Sequence, residues 1–118
     1  MEDDLGELCV AFSKLPKKNK NKKRTVVITN GPFAAHVAEY DFIKEELTFL
    51  ANFLPETVEE DLIVDTNGAG DAFAGGFLSK YMRKESLDKC MHAGHWAASI
   101  IIQTRGCKIP EGVVYDEI

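Results

Sequence analysis

Several familiar signatures are missing from this 118-residue sequence. No apolar run approaches the roughly 20 residues of a membrane-spanning helix, and the acidic start Met1-Glu2-Asp3-Asp4 carries no secretory pattern. Neither a membrane nor an exported setting is expected. Cysteine is scarce: Cys9, Cys90 and Cys107 are widely spaced, odd in number and free of any C-x-x-C. They read as reduced thiols of an intracellular, cytoplasmic protein rather than a disulfide frame. No G-x-x-x-x-G-K-[ST] string occurs, so a P-loop is excluded. Gly68 and Gly70 begin a G-x-G, but Phe73 holds the third glycine position and the dinucleotide pattern fails. Basic residues do not prevail either. With 14 Lys and Arg against 19 Asp and Glu the formal charge is −5, which argues against nucleic acid as the main partner.

What is present reads as one small globular domain or part of a larger one. Hydrophobic residues make up 45% of the chain, enough to argue against wholesale disorder. Leu5, Leu8, Cys9 and Phe12 recur at helical spacing, so residues 3–13 are expected to form an amphipathic helix. Seven of the fourteen basic residues fall between Lys14 and Arg24, without an aromatic residue among them for base stacking. The run reads as a solvated loop, a nuclear import signal being the alternative. Thr25 to Thr29 is β-branched throughout and predicts a buried strand ending at the turn Asn30-Gly31-Pro32. His36 to Glu39 suits a short strand, His36 lying on its surface. Residues 44–54 fit either period, and the alternation of Leu47, Phe49, Ala51 and Phe53 favours strand.

The second half reads strand, helix, helix. Leu62-Ile63-Val64 is the expected strand. Ala72, Phe73, Gly76, Phe77 and Met82 give the stripe of a helix over 69–83. Gly75 and Gly76 would each cost that helix about 1 kcal/mol relative to alanine, which suggests that another backbone packs closely there. Ser86 is placed to cap a further helix to about Gln103, with Leu87, Met91, Ala98 and Ile101 among its apolar positions, and Gly106 suits its C-terminal end.

Between the strand and the first of these helices stands Asp65-Thr66-Asn67-Gly68-Ala69-Gly70-Asp71-Ala72-Phe73. A small-residue turn entering a helix exposes unpaired backbone N–H groups at the positive end of the dipole, where an anion such as phosphate can sit. Residues 68–70 are small enough to let that anion approach the main chain. Asp71 then puts a carboxylate beside it, able to accept a proton from a hydroxyl aligned with the anion. Phosphoryl transfer to a hydroxyl is one reading. The other is structural, with Asp65, Thr66 and Asn67 capping the helix and Asp71 complementing its dipole.

At these residues the sequence resembles the ribokinase family of carbohydrate and nucleoside kinases, whose members carry a D-T-x-G-A-G-D-x-F element late in the chain. Ala93-Gly94-His95-Trp96-Ala97-Ala98-Ser99 and Arg105-Gly106-Cys107 look like the nucleoside-phosphorylating branch, and Thr29-Asn30-Gly31 is similar to its T-Q-G, with Asn30 in place of glutamine. The resemblance implies an α/β fold, the C-terminal part of a ribokinase-like layered sandwich over residues 1–118, and phosphoryl transfer from ATP to adenosine in purine salvage. It implies that Asp71 is the catalytic base, and that the amides of Gly68, Ala69 and Gly70 form the anion hole. Thr29, Gly31 and Asn67 would lie along the phosphates and ribose of ATP, with His95 and Ala98 beside its adenine. Carbonyls near Asp65 and Asn67, with the Gly106 region, resemble the family's monovalent cation (K+) site.

Kinases of this family run to about three times this length. The portion that supplies most of the acceptor pocket, the lid and the acidic Mg²⁺ motif is not in this sequence, so Mg²⁺ is expected with its ligands mostly elsewhere. Two other readings stay open: a catalytically incompetent nucleotide-binding fragment, and a kinase of the same family acting on a sugar. His92 and His95 are three apart on an expected helix, but no third or fourth metal ligand accompanies them. His92 reads as an ordinary helix residue.

Overall fold

The computed structural model describes residues 2–105 and 111–115, and Gly106 and Cys107 lie outside them. The chain divides into two compact units, one up to Leu54 and one from Pro55 onward.

The first unit is a helix and a three-stranded antiparallel meander. Helix α1 (Glu2–Ser13) precedes strands β1 (Arg24–Asn30), β2 (Phe33–Asp41) and β3 (Glu46–Phe53), which lie in the order β1-β2-β3. Register is set by pairs such as Val27 with Val37 and Val37 with Ala51. Helix α1 packs on β1 and β2 through Cys9, which is fully buried with its thiol 3.4 Å from the carbonyl oxygen of Val26 and 3.6 Å from that of His36. The residues thus follow their local patterns. β-branched side chains fill β1, and in β3 Leu47, Phe49, Ala51 and Phe53 are half-buried while their neighbours are exposed. The loop after α1 is tied down by its own cations. Arg24 donates to the carbonyls of Phe12 and Leu15, and Lys17 to that of Lys22 at 2.7 Å. Asp41 closes the β2–β3 turn by accepting from the N–H groups of Ile43 and Lys44 at 2.9 and 3.0 Å, bonds that hold its carboxyl below the usual range.

Two expectations about this unit need correction. The buried strand is β2 rather than β1: Ala34 to Ala38 are all buried, whereas β1 is half-buried. A central strand is covered on both edges and an outer one is not, and the residue types of β1 alone do not reveal which it is. His36, expected on a strand surface, is buried against Gly6 of α1, and its Nε2 has no hydrogen-bond partner among the described residues.

The second unit is a helical hairpin behind an irregular entry. Helix α2 (Ala69–Tyr81) packs along α3 (Leu87–Ile101) around Phe73, Phe77, Cys90, Met91, Ala93 and Ile101. Ser86 caps α3, its Oγ accepting from the N–H of Lys89 at 3.4 Å. Residues 62–64 do not form the expected strand. A 3₁₀ turn (Glu60–Leu62) leads into extended chain with no strand pairing among the described residues, and the N–H groups of Val64 and Asp65 both donate to the carbonyl of Ile102 at the end of α3. An apolar run becomes a strand only where another strand offers it a ladder, and Leu62, Ile63 and Val64 are all exposed instead. Met82 also leaves its expected stripe. The helix ends at Tyr81 and the backbone turns away through Lys84 (φ 62°), so Met82 is 80% exposed while Lys80 is buried.

Candidate functional site

The glycine turn is where local sequence and site geometry meet. Asp65 Oδ1 accepts from the N–H of Asn67 at 2.9 Å, a side-chain turn that leads the chain out of its extended segment. Gly68 then takes the left-handed conformation (φ 83°, ψ −2°), and its carbonyl receives the first α-helical bond, from the N–H of Ala72 at 2.9 Å. A side chain at residue 68 would strain this corner. The corner also aims the first N–H groups of α2 outward. That of Ala69 reaches back to Thr66 O at 3.3 Å, while those of Gly68, Gly70 and Asp71 have no hydrogen-bond partner among the described residues. Gly70 is exposed, and a Cβ built there would meet nothing within 4 Å.

Asp71 is exposed in the first turn of α2 and lines a cleft of about 310 Å³ together with Gly68, Ala72, Trp96, Ala97, Ile100 and Ile101. One wall is therefore the polar helix start and the other is an apolar face of α3, a combination typical of small-molecule sites. The helices can come this close because Gly76 and Gly94 lack side chains. A Cβ on Gly76 would lie 2.5 Å from the carbonyl oxygen of Ala93, and one on Gly94 would lie 2.8 Å from the Phe73 ring. Gly75, by contrast, faces open space, so the close packing suggested for the glycine pair concerns Gly76 alone.

Of the residues singled out in the sequence, Gly68 and Asp71 line the cleft, and Ala69 and Gly70 stand between them at the start of α2. His95 and Ala98 do not line it; the α3 residues that do are Trp96, Ala97, Ile100 and Ile101, to none of which the motif assigned a role. His95 is buried edge-on to Phe73, with ring centroids 5.1 Å apart. Burial pushes its pKa below the ordinary histidine range, Glu56 pulls it up and His92 pushes it down. Thr29 and Gly31 belong to the first unit, at the β1–β2 turn, where Thr29 is exposed and Gly31 has φ 53°. Cys9 and Cys90 are free and buried, and burial raises both thiol pKa values. Among the described residues no three His, Cys, Asp or Glu side chains gather as a metal site, and no helix is long and apolar enough to cross a membrane.

The fold has known counterparts. A model of the pfkB family carbohydrate kinases matches residues 6–112. The chain belongs to that family. Among its relatives, adenosine kinase 2 of Arabidopsis thaliana is 38% identical over 109 residues, which is 92% of this chain and 30% of that protein. The crystal structure of Anopheles gambiae adenosine kinase in complex with P1,P4-di(adenosine-5) tetraphosphate superposes with a TM-score of 0.76 at 38% identity, over 89% of this chain and 29% of that one. Adenosine kinase from Schistosoma mansoni, in complex with adenosine and AMP, gives 0.74 at 31% identity over 94% and 30%. The mixed helix and antiparallel-sheet architecture is thus that of part of a ribokinase-like kinase of the family, and the chain spans about 30% of the length of the relatives it matches. Kinase relatives match nearly the whole of this chain.

Proposed function

We propose that the chain is the nucleotide-binding, base-bearing portion of an adenosine kinase, which transfers the γ-phosphoryl group of ATP to the 5′-hydroxyl of adenosine and yields AMP and ADP, a purine-salvage reaction of the cytoplasm. The observation that carries this reading is the position of Asp71: a carboxylate on the wall of the cleft, in the helical turn whose N–H groups at Gly70 and Asp71 are uncommitted among the described residues.

The chemistry follows from that arrangement. Asp71 accepts the hydroxyl proton as the acceptor oxygen attacks the γ-phosphorus, and ADP departs with the electrons of the broken P–O bond. The N–H groups of Gly68 and Gly70 stabilise charge on the phosphoryl oxygens in flight. That of Ala69 joins them by exchanging its 3.3 Å bond to Thr66 for the anion. The apolar α3 wall at Trp96 and Ala97 is where a base would lie. His95 and Ala98, the adenine candidates of the sequence, do not line the cleft, and His95 is buried edge-on to Phe73. Thr29, Gly31 and Asn67 remain the candidates for phosphate and ribose contacts, and the carbonyls of Asp65 and Asn67 for K+. Mg²⁺, when bound, neutralises phosphate charge; its ligands are proposed to come mostly from outside this sequence.

Because phosphoryl transfer depends on positioning, a base and an anion hole without an acceptor pocket should be slow. The 118-residue chain is therefore expected to bind adenine nucleotide weakly and not to turn over adenosine. Titration with ATP, followed by emission of the single tryptophan, Trp96, tests the first part, and a coupled assay for AMP tests the second. Robust, Asp71-dependent AMP formation by the chain alone would overturn the division of labour. In an enzyme that includes the acceptor portion, Asp71→Asn should lower turnover by about 10²–10⁴-fold with ATP affinity nearly intact. Unchanged turnover removes Asp71 from the mechanism.

A further inference from the structure

The last described residues return to α3. Tyr115 lies beside the helix with its hydroxyl 2.6 Å from His92 Nδ1, its ring 5.0 Å from that of Trp96 in an edge-on arrangement (62°), and the Lys80 ammonium 5.4 Å from its ring centre. The other nitrogen of His92, Nε2, faces Glu56 Oε1 at 3.5 Å. Residues 92 and 96 are one helical turn apart, so both project on the same side of α3. Trp96 also forms the cleft wall opposite Asp71.

These contacts have a direction. An ionised carboxylate can only accept, so Glu56 favours the tautomer of neutral His92 that carries its proton on Nε2. Nδ1 is then an acceptor, and the Tyr115 hydroxyl donates to it. The hydroxyl is fixed at one end by His92, and the ring it belongs to is set edge-on to the indole. An indole held on one side by a tethered ring has fewer rotamers open to it than one backed by water, and a ligand that stacks on it loses less freedom on binding.

We propose that Tyr115, oriented by the Glu56–His92 pair, is a positioning residue for the nucleotide cleft: it holds the Trp96 indole in the place where it forms the wall for an adenine base. The inference rests on the reading of that cleft as a nucleotide site, and its class of ligand is the purine nucleotide proposed above. Tyr115 touches neither the reacting atoms nor Asp71 and takes no part in proton transfer.

Trp96 provides a direct test because it is the only tryptophan in the chain. Tyr115→Ala removes both ring and hydroxyl, Tyr115→Phe removes the hydroxyl alone, and circular dichroism checks that each variant is folded. Tyr115→Ala should shift Trp96 emission to the red, increase its quenching by acrylamide, and raise the Kd for ATP about three- to tenfold, the scale expected when one side chain must be ordered by the ligand. Tyr115→Phe should keep most of the emission signature and show a smaller loss of affinity. Folded Tyr115→Ala protein with unchanged emission, quenching and ATP affinity overturns the proposal. Should Tyr115→Ala not fold, Tyr115→Phe and His92→Phe decide: parental quenching and affinity in both overturn it, and looser Trp96 in both supports it. If the parent chain gives no saturable response to ATP, the nucleotide reading fails on its own account. The emission and quenching of the variants then still show whether Tyr115 fixes Trp96.

Discussion

The α-carbon of Gly76 faces the backbone of Ala93 so closely that a β-carbon on it would stand 2.5 Å from the Ala93 carbonyl oxygen. That approach sets the spacing of α2 and α3, and with it the width of the cleft that Asp71 and Trp96 share. Backbone cannot yield as a flexible side chain can, so Gly76→Ala should destabilise the chain by about 1–3 kcal/mol despite the higher helix propensity of alanine. Gly75→Ala, one residue earlier and facing open space, should be neutral or stabilising by up to about 1 kcal/mol. Urea denaturation of the two variants provides the comparison; equal effects would mean that the helix crossing is not held by this contact.

Gly70→Ala separates binding from folding. A Cβ there meets nothing within 4 Å, and φ at this position is not positive, so alanine costs the fold nothing and α2 gains by its propensity. The methyl group would, however, stand where phosphate has to approach the N–H groups. ATP affinity should fall by about tenfold or more, equivalent to losing one charge-assisted hydrogen bond, with the melting temperature unchanged or raised. Unaltered ATP binding in a folded Gly70→Ala chain would count against phosphate at the start of α2.

His95 gives stability a pH dependence whose sign follows from burial. The unfolded chain takes up the proton near the ordinary histidine value of about 6.5, whereas the folded chain resists it to lower pH. The stabilising contribution of neutral His95 is therefore complete above that unfolded value and is lost as pH falls below it towards the folded pKa. The urea midpoint should drop between neutral pH and mildly acidic pH, and His95→Phe, which keeps a ring against Phe73, should reduce the drop. An equal drop in both proteins would locate the acid sensitivity elsewhere.

Ser86 caps α3 through a long bond, 3.4 Å to the N–H of Lys89. Ser86→Ala should cost roughly 0.5–1 kcal/mol, the lower part of the range for N-caps, and Ser86→Asp should recover it because a carboxylate there also suits the helix dipole. Thermal denaturation of the pair measures this, and a neutral Ser86→Ala would show that Asp88 in the first turn is sufficient.

The strand or helix character of each segment was legible where a side-chain pattern had only local work to do. Leu47, Phe49, Ala51 and Phe53 alternate because β3 has one wetter face, and Ser86 marks the start of α3 because a helix start needs an acceptor there. Residues 62–64 show where such reading ends. Leu62-Ile63-Val64 is as apolar as any strand, yet its chain instead donates to the last turn of α3 at Ile102. The candidate site divides in the same way. The string from Asp65 to Phe73 marked the turn and its carboxylate, because small residues before a helix start impose a local backbone geometry. It could not show that Trp96, Ala97, Ile100 and Ile101 line the cleft while His95 and Ala98 do not, nor that Tyr115 packs edge-on against Trp96. Helical spacing fixes which residues share a side of α3, whereas its rotation toward the cleft depends on how deeply Gly76 and Gly94 let the two helices approach.

What the amino-acid order determined unaided is therefore most of the local structures and the conformation of the glycine turn, since capping, periodicity and backbone freedom act between residues a few positions apart. Only the tertiary structure decided which side chains meet across the helical hairpin, which strand is buried and which histidine is tied to a tyrosine some twenty residues away. Those outcomes depend on packing between distant segments, where a missing β-carbon or the absence of a partner strand outweighs the preference of any single stretch.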